Sequence, residues 1–138
     1  MNERKDRAYP LMEHAADRLA AASGRRLAEV DLAAAASGDL SIADLQVSAE
    51  TLRAQAAIAE DAGFRQLAEN LRRAAELTAV PNAELLAMYE TLRPNRSTYT
   101  ALLEMAERLA AGYGATLTAA FVREAAAAYR ARGLVLPE

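Results

Sequence analysis

Apolar positions that recur every three or four residues, separated by prolines and glycines, constrain the fold of this chain more than any other feature. Between residues 64 and 78 these positions are Phe64, Leu67, Leu71, Ala74, Ala75 and Thr78. Such spacing places them on one face of a helix. Alanine, the strongest helix former, supplies 36 of the 138 residues, and the residue types that favour strands are scarce. The sequence therefore predicts an all-α fold.

Capping residues and glycines divide the first half of the chain into short helices. Pro10 suits a helix start and Gly24 a helix end, so we predict a helix over residues 10–24. Further helix starts are predicted at the capping residues Asp31, Ser41 and Ser48, with ends at Ala36, Leu45 and Gly63.

In the second half of the chain, prolines and a serine mark the turns between helices. The amphipathic helix described above ends before Pro81, the next helix stops at Pro94, and Asn95 and Arg96 form a turn. Ser97 is expected to cap a helix that the glycines at 112 and 114 break, and a last helix runs from about Thr116 to Gly133. The predicted inward faces of these three helices are Leu85, Leu86, Tyr89 and Leu92; Leu102, Leu103, Ala106 and Leu109; and Leu117, Phe121, Ala125, Ala128 and Tyr129.

The length of 138 residues fits one domain, and we expect a compact single-domain bundle over residues 1–138 in which residues 1–8 form a flexible N-terminus. Its core is expected to be thin, because an alanine contributes much less on burial than a leucine or phenylalanine. The isolated chain should therefore be marginally stable, or it should self-associate through an apolar docking face.

Composition excludes several kinds of function. The chain has no cysteine, so disulfides, thiolate catalysis and zinc ribbons are excluded. A formal net charge of −3 argues against sequence-independent binding to the phosphates of nucleic acid. No apolar stretch is long enough for a membrane span, and no signal peptide is visible, so we predict a cytoplasmic protein without nucleic-acid or membrane partners.

The search for catalytic and metal-binding motifs favours structural interpretations. His14, with Glu13 and Asp17 nearby, could offer two ligands to a divalent ion, but an ordinary surface histidine is favoured. Ser97 and the threonines near it lack a neighbouring base and are interpreted as caps. We therefore expect no catalytic, cofactor-binding or metal-binding residue on this chain.

Arginines are the polar residues of most interest. A guanidinium group can bind phosphate or form ion pairs with carboxylates. Because no glycine-rich loop accompanies Arg72, Arg73, Arg93, Arg96 or Arg123, ion pairs are favoured. The expected partners are Glu69, Glu76, Glu124 and the carboxylates of a partner chain.

Four runs of this sequence are similar, in order and spacing, to the small subunit of coenzyme B12-dependent glycerol and diol dehydratases. They are ETLRAQAAIAEDAG, RRAAELTAVP, ELLAMYETLRPNRST and AAFVREAAAAYRARG. The resemblance extends over residues 9–133 and is dense from Ser48 onward. The segments AAELTAVP, LRPNRST and AAFVREA are the most specific. Their helix-breaking and polar residues coincide with those of the family, and no insertion is needed.

The resemblance implies a non-catalytic subunit of a lyase that converts a diol to an aldehyde and water by a radical mechanism. In that family two copies each of a large, a medium and a small subunit form a heterohexamer. The large subunit holds the substrate and its ion, adenosylcobalamin lies between the large and medium subunits, and the small subunit docks on the large one. The cofactor is thus expected on the partners and not on this chain.

The matching motifs contain the residues that we expect to support the shared fold or to contact the large subunit. They are Arg73, Glu76, Pro81, Tyr89, Arg93, Pro94, Arg96, Ser97, Phe121, Arg123 and Glu124.

Alternatives remain open for the enzyme type and location, and for the function. Diol dehydratase small subunits typically carry an N-terminal extension linked to packaging in a bacterial microcompartment, and this chain begins only a few residues before Tyr9. That favours the glycerol type, or a diol enzyme without the extension, with a microcompartment as the alternative location. A helical interaction or assembly protein that reuses the small-subunit fold is the alternative function.

Overall fold

The structure, a computed structural model, describes residues 9–138. Seven α-helices lie within that range: α1 (Leu11–His14), α2 (Leu32–Ala36), α3 (Ala49–Asp61), α4 (Arg65–Leu77), α5 (Asn82–Thr91), α6 (Tyr99–Tyr113) and α7 (Thr116–Ala131). Three 3-10 helices lie at Ala16–Arg18, Leu27–Glu29 and Ile42–Leu45. Extended pairing within the described range is limited to isolated bridges, so the predicted all-α class is confirmed.

The chain forms two compact units, the first ending at Ala75 and the second running from Glu76 to Glu138. The single-domain organisation stays a prediction, and the expectation of a flexible N-terminus falls on residues 1–8, outside the described range. None of the helices within residues 9–138 combines the length and the apolar character that crossing a membrane requires.

The helix predicted over residues 10–24 was wrong. α1 ends at His14, and after a 3-10 turn Ala20 and Ala21 form isolated bridges with Arg26 and Val47. The bridge between Ala21 and Val47 joins residues that are distant in sequence, which a local apolar pattern does not reveal. By contrast, Asp31 caps α2 as predicted, accepting a hydrogen bond from the N–H of Ala34 at 2.8 Å.

A buried carboxylate organises this irregular part of the first unit. The Oδ1 atom of Asp44 accepts from the Ser23 hydroxyl at 2.6 Å and lies 3.4 Å from Nε of Arg25, whose guanidinium also pairs with Asp39. Its Oδ2 atom accepts from the N–H and the hydroxyl of Ser41 at 2.7 and 2.9 Å. The bonds from Ser23 and Ser41 lower the pKa of Asp44 to about 2, since they favour the charged form.

The helices α3 and α4 pack through small residues. Ser48 caps α3 as predicted, and Gly63 follows it with φ 86°. Ala56, Ala59 and Ala68 are buried together, with Leu71 against them. The apolar face predicted for α4 is only partly buried, since Phe64 and Leu67 are exposed and Ala68 is inside.

The second unit has one continuous apolar core, to which α5, α6 and α7 contribute side chains. Its fully buried large side chains are Leu102, Met105, Leu109 and Val122. α6 continues through Gly112 and ends at Tyr113, and the next residue, Gly114, adopts the left-handed conformation with φ 64°. The Tyr113 hydroxyl donates to Glu84, tying the end of α6 to the start of α5, and this bond raises the pKa of Tyr113.

The predicted inward faces of α5 and α7 were also partly wrong. On α5 the side chains of Leu85, Met88 and Leu92 pack on the core, whereas Leu86 and Tyr89 are exposed. On α7 the buried residues are Thr118, Ala119, Val122 and Ala126. The larger Leu117 and Phe121 are each 49% exposed. The inside of α7 therefore consists mainly of alanines, Thr118 and Val122, whereas Leu117 and Phe121 are half exposed.

Candidate functional site

The ionisable side chains of the described residues do not form a metal-type cluster. Within residues 9–138 no three His, Cys, Asp or Glu side chains converge in a way that could hold an ion. His14 is exposed at the end of the four-residue α1, which agrees with its interpretation as a surface residue. The expectation that the chain carries no catalytic residue stays a prediction.

Residues 91–98 connect α5 to α6 and are here called the α5–α6 corner. They include several of the predicted motif residues, and hydrogen bonds from side chains hold their backbone in place. Asn95 has φ 59°, a left-handed conformation that asparagine tolerates better than most side chains. The Tyr129 hydroxyl donates to the carbonyl of Leu92 at 2.8 Å, and the Ser97 hydroxyl donates to the carbonyl of Thr91 at 2.8 Å. These bonds fix the path of the chain after Pro94 has ended α5.

The predicted cap of α6 was displaced by one residue. Thr98, and not Ser97, accepts a hydrogen bond from the N–H of Ala101, at 3.1 Å. The Ser97 hydroxyl is directed to the carbonyl of Thr91 at the end of the preceding helix. Both residue types suit a cap, so the sequence could not decide between two adjacent candidates.

The corner carries two arginines around one carboxylate. Nη1 of Arg93 lies 3.1 Å from Oε2 of Glu90, and Nε of Arg96 lies 3.8 Å from Oε1 of the same side chain. Exposed ion pairs of this kind contribute about 0–1 kcal/mol to stability. One carboxylate does not neutralise two guanidinium groups, so the corner presents a positive charge and arginine forks that suit a carboxylate.

An exposed apolar face of α5 adjoins this corner. Leu86 is 70% exposed and Tyr89 is 58% exposed, while the adjacent side of the helix, with Leu85 and Met88, packs on the core. An exposed apolar stripe of this kind is typical of a surface that another chain covers. We call Leu86, Tyr89, Arg93 and Arg96 the α5 face.

α7 contributes a second exposed apolar region within the same unit. Leu117 and Phe121 lie one turn apart on it, and Nη2 of Arg123 donates to Oε2 of Glu107 at 3.2 Å. Tyr89 lines a small apolar cavity of about 40 Å³ together with Thr118 and Val122 of α7. The cavity places Tyr89 beside α7.

Four further predicted residues lie outside both the corner and the exposed apolar regions. Arg73 donates to the side-chain oxygen of Asn70, Pro81 occupies the N-cap position of α5, and Glu124 is exposed on α7. Glu76 accepts hydrogen bonds from the first turn of α7, which gives it a role within the chain. Their contact with another subunit stays a prediction.

Arg72, Arg93, Arg96 and Arg123 form ion pairs as expected, but the carboxylates in these pairs differ from the expected Glu69, Glu76 and Glu124. Arg72 pairs with Glu60, Arg93 and Arg96 with Glu90, and Arg123 with Glu107. The outward position of Leu86 was also missed. Its signal was present in the sequence, since residues 86, 89 and 93 share a helical face distinct from that of 85, 88 and 92.

An exposed apolar face on a helical chain is typical of proteins that bind other chains, and α5 presents such a face at Leu86 and Tyr89. A family model described as "Dehydratase small subunit" matches residues 4–135. The chain is 45% identical over 121 residues to the propanediol dehydratase small subunits of Citrobacter freundii and Salmonella typhimurium. In each case the match covers 88% of this chain and 70% of the relative. The chain belongs to the dehydratase small-subunit family.

Proposed function

We propose that this chain is the non-catalytic small subunit of an adenosylcobalamin-dependent glycerol or propane-1,2-diol dehydratase, and that it docks on the large subunit through the α5 face. The relatives are named for propanediol, which makes propane-1,2-diol the first substrate to test. The expected assembly contains two copies each of the large, medium and small subunits. Its expected location is the cytoplasm, with a bacterial microcompartment as the alternative.

The exposure of Leu86 and Tyr89 is the observation that carries the docking proposal. Complete burial of a leucine contributes roughly 1.5–3 kcal/mol, so covering the two side chains would stabilise a complex substantially. Arg93 and Arg96 in the adjoining corner suit carboxylates on the rim of the partner surface. A partner with an apolar centre and an acidic edge is therefore the expected complement.

The described residues are a poor match to the cofactor itself. His14, the only histidine of the chain, is exposed on a four-residue helix and has Glu13 and Asp17 near it in sequence. We therefore place adenosylcobalamin on the large and medium subunits, where it would supply the radical chemistry of the reaction. The task of this chain is to hold the assembly together around the residues that bind the substrate and cofactor.

Co-expression tests the proposed function. The large and medium subunits from the same source are produced with and without this chain, and aldehyde formation is measured with added adenosylcobalamin on glycerol and on propane-1,2-diol. We expect activity and a stable complex only when the chain is present. Equal activity without the chain, and no retention of the chain, would instead favour an interaction or assembly protein that reuses the fold.

A further inference from the structure

The last residues of the chain pair with the α5–α6 corner. The N–H of Asn95 donates to the carbonyl of Leu134 at 2.8 Å, and the N–H of Leu136 donates to the carbonyl of Ser97 at 2.9 Å. Thr98 and Leu136 form an isolated parallel bridge. Residues 134–138 therefore add a short extended partner to the corner.

The side chain of the final residue is attached to α6. Oε1 of Glu138 accepts from the N–H of Thr100 at 3.1 Å. Since the first N–H groups of a helix have no partner within the helix, Glu138 and Thr98 together satisfy two of them. A negative charge at this position also suits the helix dipole.

The terminal segment borders an open cavity. A space of about 520 Å³ lies between residues 135–138 and the side chains of Tyr99, Thr100 and Arg130. The guanidinium carbon of Arg130 is 4.6 Å from the centre of the Tyr99 ring, and Leu136 remains 41% exposed. The segment is thus attached largely through hydrogen bonds, with Val135 as its contact to the core.

We propose that residues 134–138 form a strap, with Glu138 as its latch, that opens locally and controls the conformation of the α5–α6 corner. When the strap is closed, its bond to Asn95 holds the turn that separates Arg93 from Arg96. When it opens, the corner loses that bond and the two arginines lose their fixed spacing. Segments with few buried apolar contacts open more readily than the core around them.

The strap is coupled to docking, and this part of the inference rests on the proposed function. If the closed strap presents the arginines in the geometry that the large subunit binds, docking must stabilise the closed strap in return. Amide exchange at Leu136 should therefore slow when the large and medium subunits are added to the full-length chain.

Two pairs of variants of the full-length chain test the strap. Leu136→Pro removes the N–H that donates to Ser97, whereas Leu136→Ala keeps it. Glu138→Ala removes the acceptor for Thr100, whereas Glu138→Gln keeps an oxygen there. Amide exchange is read residue by residue by NMR, and affinity for the large and medium subunits is measured in parallel.

We expect exchange at Asn95 to accelerate about tenfold or more in Leu136→Pro, and less than about threefold in Leu136→Ala. Glu138→Ala should accelerate exchange at Thr100 more than Glu138→Gln does. Exchange at Leu109 and Val122 in the core should not change. Unchanged exchange at Asn95 in Leu136→Pro would overturn the strap, and so would acceleration throughout α6 and α7, which would make the segment part of the core.

The affinity measurement separates the strap from the proposed function. Leu136→Pro is expected to bind the large and medium subunits several-fold more weakly than Leu136→Ala. Equal binding by the two variants would overturn the control of docking by the strap. If the unmodified chain does not bind at all, the proposed function fails, and the exchange data still decide whether the strap controls the corner.

Discussion

Glu76 and Thr118 are joined by two hydrogen bonds, because Oε2 of Glu76 accepts from the backbone N–H of Thr118 at 2.8 Å and from its hydroxyl at 2.7 Å. Oε1 of the same carboxylate accepts from the N–H of Leu117 at 3.0 Å. The N-cap residue of α7, Ala115, has no side-chain oxygen. A glutamate from the end of α4 therefore performs the capping that a serine or threonine performs elsewhere.

Replacement of this cap should destabilise the fold. We expect Glu76→Ala to lower the free energy of unfolding by about 2 kcal/mol, since it leaves two N–H groups of α7 without their acceptors. The matched control is Glu124→Ala on the exposed side of α7, which should change stability by less than about 0.5 kcal/mol. Urea denaturation followed by circular dichroism measures both, and equal effects of the two variants would show that the cap contributes little.

The turn at Asn95 should tolerate glycine but not a β-branched residue. Asn95→Val places a stiff side chain at φ 59° and should cost about 1–2 kcal/mol, whereas Asn95→Gly should be close to neutral. The comparison uses the same denaturation measurement. A valine variant as stable as the glycine variant would mean that the corner relaxes out of the left-handed conformation.

Capping and turn rules, which use a few adjacent residues, predicted where helices begin and where the chain turns better than periodicity predicted which helix faces are buried. Asp31, Ser48 and Asn95 act where the sequence placed them, because a cap or a left-handed turn depends on a few adjacent residues. The helix predicted over residues 10–24 failed because pairing with distant segments competes with helix formation there. Such pairing is outside the reach of a periodicity argument.

The predictions of which helix faces point inwards failed for a different reason. On α7 two neighbouring stripes are apolar, one with alanines and Val122 and the other with Leu117 and Phe121. Periodicity shows that both exist but does not decide which one packs inside. The corner arginines of the candidate site were identified from their motif, whereas the exposure of Leu86 required the structure.

The hydrogen bonds to Asp44 predict how acid affects the first unit. Its folded pKa of about 2 lies below the unfolded value near 3.9, so the folded chain holds this proton less tightly than the unfolded chain. The contribution of Asp44 to stability is therefore complete above pH 4 and is lost as the pH falls towards 2. In urea titrations, the stability difference between the unmodified chain and Asp44→Asn should shrink over this range. A difference that stays constant would contradict this linkage.

The isolated chain should associate with itself or melt at a low temperature. Four large side chains are fully buried in the described structure, and several others of similar size are exposed, Leu86 and Tyr89 among them. Sedimentation velocity over a range of concentrations, together with thermal denaturation, tests this expectation. A chain that stays monomeric and melts cooperatively at high temperature would argue against an exposed docking face.

The affinity of the large and medium subunits for Leu86→Asp tests the docking proposal most directly. This substitution places a charge on the α5 face, while Leu32→Asp makes the same change at an exposed leucine of α2 and serves as the matched control. Circular dichroism first establishes that both variants fold. We predict that Leu86→Asp binds at least about tenfold more weakly than the unmodified chain, which corresponds to about 1.4 kcal/mol, and that Leu32→Asp binds normally. Unchanged binding by Leu86→Asp would contradict docking through the α5 face.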